Sequence, residues 1–163
     1  MNRTDIKIER DTSRVITRCH VPSVDRIPRV IERVLRLGND EAEEVLVHTF
    51  LGFSDRHKDL RQILERNFNE VSKYISSNQR ISATKQLLIG AYFTMEYAVE
   101  SAALFNPSIV PDPDQSNVPD GGLRFIMSLR ATGEGHISSI VFRNGIIDNK
   151  NSISFHLASD YVE

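Results

Sequence analysis

Cysteine is all but missing from this chain: Cys19 stands alone. One thiol cannot build a disulfide framework, and such a composition suits a reducing compartment. No His/Asn constellation lies near Cys19 to activate it, so it reads as an inert thiol beside a strand. Long hydrophobic runs are absent too, and the first twenty residues are charged throughout, with no apolar signal-peptide core. These absences lead to the expectation of a cytoplasmic protein without a membrane partner. Net charge is nearly absent, at −2 from 20 Lys+Arg, 22 Asp+Glu and five histidines counted as neutral. The basic residues are dispersed with acidic ones among them, which gives a solvated surface and no nucleic-acid stripe. No internal repeat, low-complexity segment or charge block interrupts the sequence.

What remains is an ordinary globular composition, 40% hydrophobic over 163 residues. That suffices for one domain, or for one small domain plus a fragment. Ile6-Lys7-Ile8 and Arg14 to Arg18 alternate like short strands. From Ser23 the period becomes helical: Ile27, Val30, Ile31, Val34 and Leu35 form one stripe, Pro28 sits in the first turn, and Gly38 closes the segment. Asn39-Asp40 caps a second helix with Ala42, Val45, Leu46, Phe50 and Phe53 inward. Ser54-Asp55 opens a third, with Leu60, Ile63, Leu64, Phe68, Val71 and Ile75 inward. A fourth helix is expected from about Ser82 to Leu104. Its apolar residues leave almost no polar face, so it should be the central helix, and Gly90 within it implies close contact with another backbone.

Beyond Leu104 the pattern changes. Phe105-Asn106-Pro107 cannot continue a helix, because the residue before proline is pushed out of the α region. A Pro/Asp/Gly loop from Pro111 to Gly122 follows. Leu123 to Ala131 and His136 to Arg143 read as strands, with Asn144-Gly145 expected to form a tight hairpin into Ile146-Ile147-Asp148.

Several short patterns touch on chemistry. Ser82-Ala83-Thr84-Lys85 matches the Ser-x-x-Lys of serine acyltransferases, but the companion motifs are missing and serine at a helix start is expected as a cap. Asp112-Pro113-Asp114-Gln115-Ser116 begins like a calcium loop and then has Asn117 and Leu123 where glycine and glutamate are required, so a turn cluster is the better reading. Gly133-Glu134-Gly135 is a turn, lacking the helix and third glycine of a phosphate loop. Glu96 and Glu100, one turn apart on the expected fourth helix, could serve a carboxylate metal site. No Glu-x-x-His partner exists for them, which favours pairing with arginines such as Arg29 or Arg33. His20, His48, His57, His136 and His156 are scattered without ligand spacing, so no metal site is assigned.

The run SAALFNPSIVPDPDQ, followed by RFIMSLRATGEGHISSIVFRNGIID, resembles the start of the β-propeller in glycoside hydrolase family 130, the β-mannoside phosphorylases and related hydrolases. The resemblance covers about the last third of the chain. The helical part is similar, more loosely, to the amino-terminal extension of longer members. The fold this implies is α+β: a short β-like arm at 1–22, an antiparallel bundle of about four helices at 23–104, and the first strands of a β-propeller-like sheet at 105–163. A blade takes about 40 to 50 residues, so only about one is expected here. The resemblance also implies that Asn106 and Arg130 lie in a sugar pocket, with a β-mannoside as ligand, no cofactor, and inorganic phosphate as co-substrate in full-length members. An amide can meet vicinal hydroxyls and a guanidinium offers a rigid donor fork. The plainer alternative has Asn106 capping a turn and Arg130 pairing with Asp120 or Glu134. The family cleaves its substrate with inversion, using an aspartic acid in a later part of the fold. No residue here matches that acid, Asp160 included, so no catalytic residue is assigned and the chain is expected to be inactive alone. A non-catalytic helical interaction module, able to form a homo-oligomer, is the competing expectation.

Overall fold

The computed structural model describes residues 5–76, 78–159 and 161–162, and these form four α-helices, three short 3-10 turns and two sheets. Two compact units divide it, one from Val15–Tyr97 and the other from Met1–Arg14 with Ala98–Val162.

The first unit begins with β1 (Val15–Cys19), followed by α1 (Ile27–Arg36), α2 (Asn39–Phe53), α3 (Leu60–Val71) and α4 (Ala83–Tyr92), and runs into β2 (Thr94–Ala98). The helical stripes read from the sequence supply its core. Ile27, Ile31 and Val34 of α1, Ala42 and Leu46 of α2, Leu60, Leu64 and Val71 of α3, and Leu87, Leu88 and Ile89 of α4 are all buried together. Gly90 explains how closely α3 and α4 approach: a Cβ at that position would fall on the backbone carbonyl of Leu64. Gly38 is extended and precedes α2 as its cap. The third helix starts at Leu60, later than Ser54-Asp55 suggested, because residues 54–59 form turns.

The expected bundle of residues 23–104 followed by the opening strands of a propeller-like sheet is overturned. The fourth helix stops at Tyr92, and the chain goes straight into β2, which pairs with β1. Strands thus flank the helices on both sides in sequence. Two local causes end the helix. Thr94 Oγ1 donates to Gly90 O at 2.8 Å, sharing that carbonyl with Phe93 N at 3.1 Å, and His20 N donates to Phe93 O at 2.8 Å, which starts the pairing with β1. Tyr92 to Tyr97 is also rich in aromatic and β-branched residues, which fit a pleated surface. An apolar run with almost no polar face looks the same in either state, and the available partner strand decides between them.

The second unit is a meander of four antiparallel strands in the order β3 (Ala103–Pro111), β4 (Leu123–Thr132), β5 (Ser138–Ile147) and β6 (Ile153–Phe155). Phe125, Met127, Leu129 and Ala131 of β4 and Val141 of β5 form its buried face, joined by Leu104, Ile147, Ile153, Phe155 and, from the amino-terminal segment, Ile8. Ile8 packs here without belonging to a strand. Phe125 and Phe155 meet edge to face, 5.4 Å between ring centroids. The Asn144-Gly145 hairpin is corrected as well. Both residues lie inside β5, where Asn144 pairs with Ile126 and Gly145 with Phe125 and Phe155. Gly145 is needed for space, since a Cβ would fall on Ser154 O and the Phe125 ring. The turn comes four residues later, where Asp148 Oδ1 accepts from Lys150 N and Ser152 N and Asn151 takes a φ of 62°.

Candidate functional site

Asn106 and Arg130 become neighbours through strand register. Phe105 pairs with Arg130, and the register shifts between Phe105 and Ser108, so that Asn106 and Pro107 together face Leu129 as a β-bulge. Asn106 has a φ of 52°, a left-handed conformation that asparagine tolerates better than most residues. Both side chains are exposed. The Arg130 guanidinium lies over the Phe105 ring, 5.4 Å from its centroid, and donates through Nε and Nη2 to Ser138 Oγ at 3.2 and 3.0 Å. Those bonds use two of the five guanidinium N–H groups. Neither Asp120 nor Glu134 is the partner in these bonds. Phe105 and Arg130 therefore set an aromatic face and a donor fork side by side, with Asn106 next along the strand at the bulge.

Arg130 belongs to the sheet face opposite the core, which is largely uncovered. Directly opposed residues share a face, and here Arg130 opposes Ile140 and Ser128 opposes Phe142. Ile140 is 67% and Phe142 63% exposed. A shallow depression at one end of this region is lined by Asp112, Ile126, Phe142, Asn144, His156 and Leu157, among others.

The two glutamates expected on one helix face lie in different settings. Glu100 is fully buried in the sheet unit, where it accepts from Arg143 Nη2 at 2.8 Å on both oxygens, from Arg14 Nε at 3.1 Å and from Asp11 N at 3.3 Å. Arg14 in turn donates to Ser159 O at 2.7 Å. A buried carboxylate held by two guanidinium groups is a tie between distant chain segments and has little capacity left for a ligand. Glu96, on β2, accepts from Arg56 Nε and Nη2 at 2.8 and 3.1 Å and contacts His57 Nε2 at 2.7 Å. Burial pushes its carboxyl up, and the hydrogen bonds from Arg56 and His57 outweigh burial and hold it below the usual carboxylate range. The arginines concerned are Arg56, Arg14 and Arg143. Spacing along the chain pointed to Arg29 and Arg33 because it assumed a helix that is not there.

The remaining motifs resolve as local structure. Ser82 caps α4, accepting from Lys85 N at 3.4 Å, while the Lys85 ammonium donates to Leu35 O and Leu37 O at the end of α1. Lys85 is thus engaged away from the serine. Asp112 Oδ1 and Asp114 Oδ1 accept from Asp114 N and Ser116 N, and the Gln115 amide bonds both backbone groups of Arg124. Gly133 to Ile137 is the β4–β5 turn, closed by Gly133 N donating to Ile137 O. Burial pushes the Cys19 thiol up, with Glu70 adding to it, which disfavours the thiolate. Among the described residues no group of three His, Cys, Asp or Glu side chains could hold a metal ion. Asp160 lies outside the described residues. Sequence reasoning missed Asn67, which is buried in the inward row of α3 and donates to Thr94 Oγ1 at 2.6 Å. Its spacing with Leu60, Leu64 and Val71 was the available signal.

No family model, curated protein or solved structure matches the chain.

Proposed function

We propose that this chain is the amino-terminal part of a carbohydrate-active protein akin to the β-mannoside phosphorylases and hydrolases it resembles, and that it works in the cytoplasm. Its sheet unit contributes sugar contacts through Asn106 and Arg130 and carries no catalytic acid of its own. The observation that supports this reading is the grouping of Asn106, Arg130 and the Phe105 ring on exposed backbone at one bulge. Vicinal hydroxyls suit an amide and a guanidinium, and the C–H face of a pyranose suits an aromatic ring. The β-mannosidic substrate class comes from the resemblance. Cleavage needs an acid to protonate the leaving oxygen, with phosphate or water attacking. The resembling segment includes no such acid.

Titration of the protein with a β-1,4-mannobioside, followed by amide NMR shifts, tests this. Saturable shifts centred on Phe105, Asn106 and Arg130, lost in Arg130→Ala, are expected. Shifts scattered over the surface, or unchanged by that substitution, would count against it.

A second reading has its own support in the uncovered apolar side chains Ile140 and Phe142. An exposed patch of that kind suits a protein contact, which would make the sheet part of an interaction module. Light scattering discriminates: a defined homo-oligomer favours the module, and a concentration-independent monomer argues against it.

A further inference from the structure

Between α2, α3 and the α4–β2 junction lies a half-open cavity of about 270 Å³, lined by Thr49, Phe53, His57, Leu60, Leu64, Ala91, Thr94, Met95 and Glu96. Its walls are chiefly the apolar side chains of Phe53, Leu60, Leu64, Ala91 and Met95. Its polar lining residues are Thr49, His57, Thr94 and Glu96, and their hydrogen-bond capacity is specific. Glu96 is engaged by Arg56 and His57; its Oε2 accepts only from Arg56 Nη2 among the bonds above, and a carboxylate oxygen has a second lone pair. Thr49 Oγ1 donates to Val45 O at 2.8 Å, which uses its proton and leaves acceptor capacity. Thr94 Oγ1 donates to Gly90 O and accepts from Asn67 Nδ2, which leaves it one lone pair. The cavity therefore offers acceptors and few donors. The Arg56 charge offsets that of Glu96, so the site does not call for a cation.

We propose that this cavity is a binding site for a small, neutral aromatic molecule carrying one hydrogen-bond donor, of the phenol or indole class. The volume is just under the roughly 300 Å³ where drug-sized pockets begin, so one ring, or two fused rings, is the upper limit. The ring lies against Phe53, Leu60, Leu64 and Met95, where methionine sulfur and aromatic edges pack well on a π face. The ligand's hydroxyl or N–H donates to Thr49 Oγ1 or Glu96 Oε2. This site lies in the helical unit and is independent of Asn106 and Arg130.

Titrating the full chain with phenol, indole and toluene while recording amide NMR spectra tests the proposal. Saturable shifts at residues 49, 53, 64 and 94–96, tighter for phenol than for toluene, are expected. Thr49→Val keeps the shape and removes one acceptor. It should weaken phenol by about 5-fold, the worth of one hydrogen bond, if Thr49 is the acceptor, and leave toluene unchanged. If Glu96 is the acceptor, Glu96→Gln reduces the phenol preference and Thr49→Val does not. Ala91→Phe fills the cavity and should abolish all three; its folding is checked by its own spectrum, and Met95→Ala gives a second readout by enlarging the cavity. The proposal is overturned if shifts do not saturate, if they map elsewhere, if phenol and toluene bind alike, or if folded Ala91→Phe binds as the parent does.

Discussion

Glu100 shows at the scale of one residue how a charge is made tolerable inside a sheet unit. Its carboxylate has no exposure and depends wholly on Arg14, Arg143 and the Asp11 amide. Removing one partner of such a group leaves uncompensated charge, so Glu100→Ala should cost about 3–5 kcal/mol. Urea unfolding followed at sheet-unit amides measures that loss. Glu96 gives a pH dependence of definite sign. Its folded pKa lies below the ordinary value, so the unfolded chain takes up the proton first as acid is added. The associated stability is present in full above the usual carboxylate range and is lost as pH falls through the depressed folded value. Glu96→Gln should flatten the acid limb of the helical unit's unfolding, as read by circular dichroism. An acid residue in an apolar run is visible in sequence, and both glutamates were; their partners were not, because Arg56 and Arg143 are each about forty residues away and meet them only in the folded chain.

Elements were legible where one periodicity dominated. The stripes of α1 and α2 and the strand β4 follow from amphipathic spacing, since each has one buried and one wet face. The run from Leu87 to Ala103 carried no such contrast, and its helix-to-strand change at Phe93 depends on Thr94, His20 and a partner strand distant in sequence. Asn144-Gly145 misled for a related reason: glycine there makes room for Phe125 and Ser154 and does not turn the chain. Gly90 is the point of close approach that a glycine inside an apolar helix implies, since a Cβ there would meet the Leu64 carbonyl. Gly90→Ala should push α4 off α3 and destabilise the helical unit by about 1–3 kcal/mol, the usual cost of overpacking, as seen in its thermal midpoint. The bulge in β3 gives a complementary case. Asn106→Gly should leave the sheet's stability nearly unchanged because glycine accepts a φ of 52°, whereas Asn106→Val should lose about 1–2 kcal/mol. The glycine variant thus isolates the amide's contribution to ligand contact.

For the molecule as a whole, two units divide the tasks proposed for it: sugar contact on the sheet and a small aromatic pocket among the helices. No helix of the described residues is long and apolar enough to cross a membrane. The α+β content was legible in the sequence, while the order of its parts was not, because β1 and β2 flank the helices and the amino-terminal Ile8 returns to the sheet unit. Release of mannose or mannose 1-phosphate by the purified chain at an enzyme-like rate would contradict the proposal that the sheet unit carries no catalytic acid. The most direct measurement is the affinity of a β-1,4-mannobioside for the parent protein and for Arg130→Ala and Asn106→Gly, taken from amide shifts under identical conditions. The parent should bind saturably and both variants should bind at least about 5-fold more weakly, one lost hydrogen bond apiece. Equal affinity in all three, or no saturable binding by the parent, would contradict it.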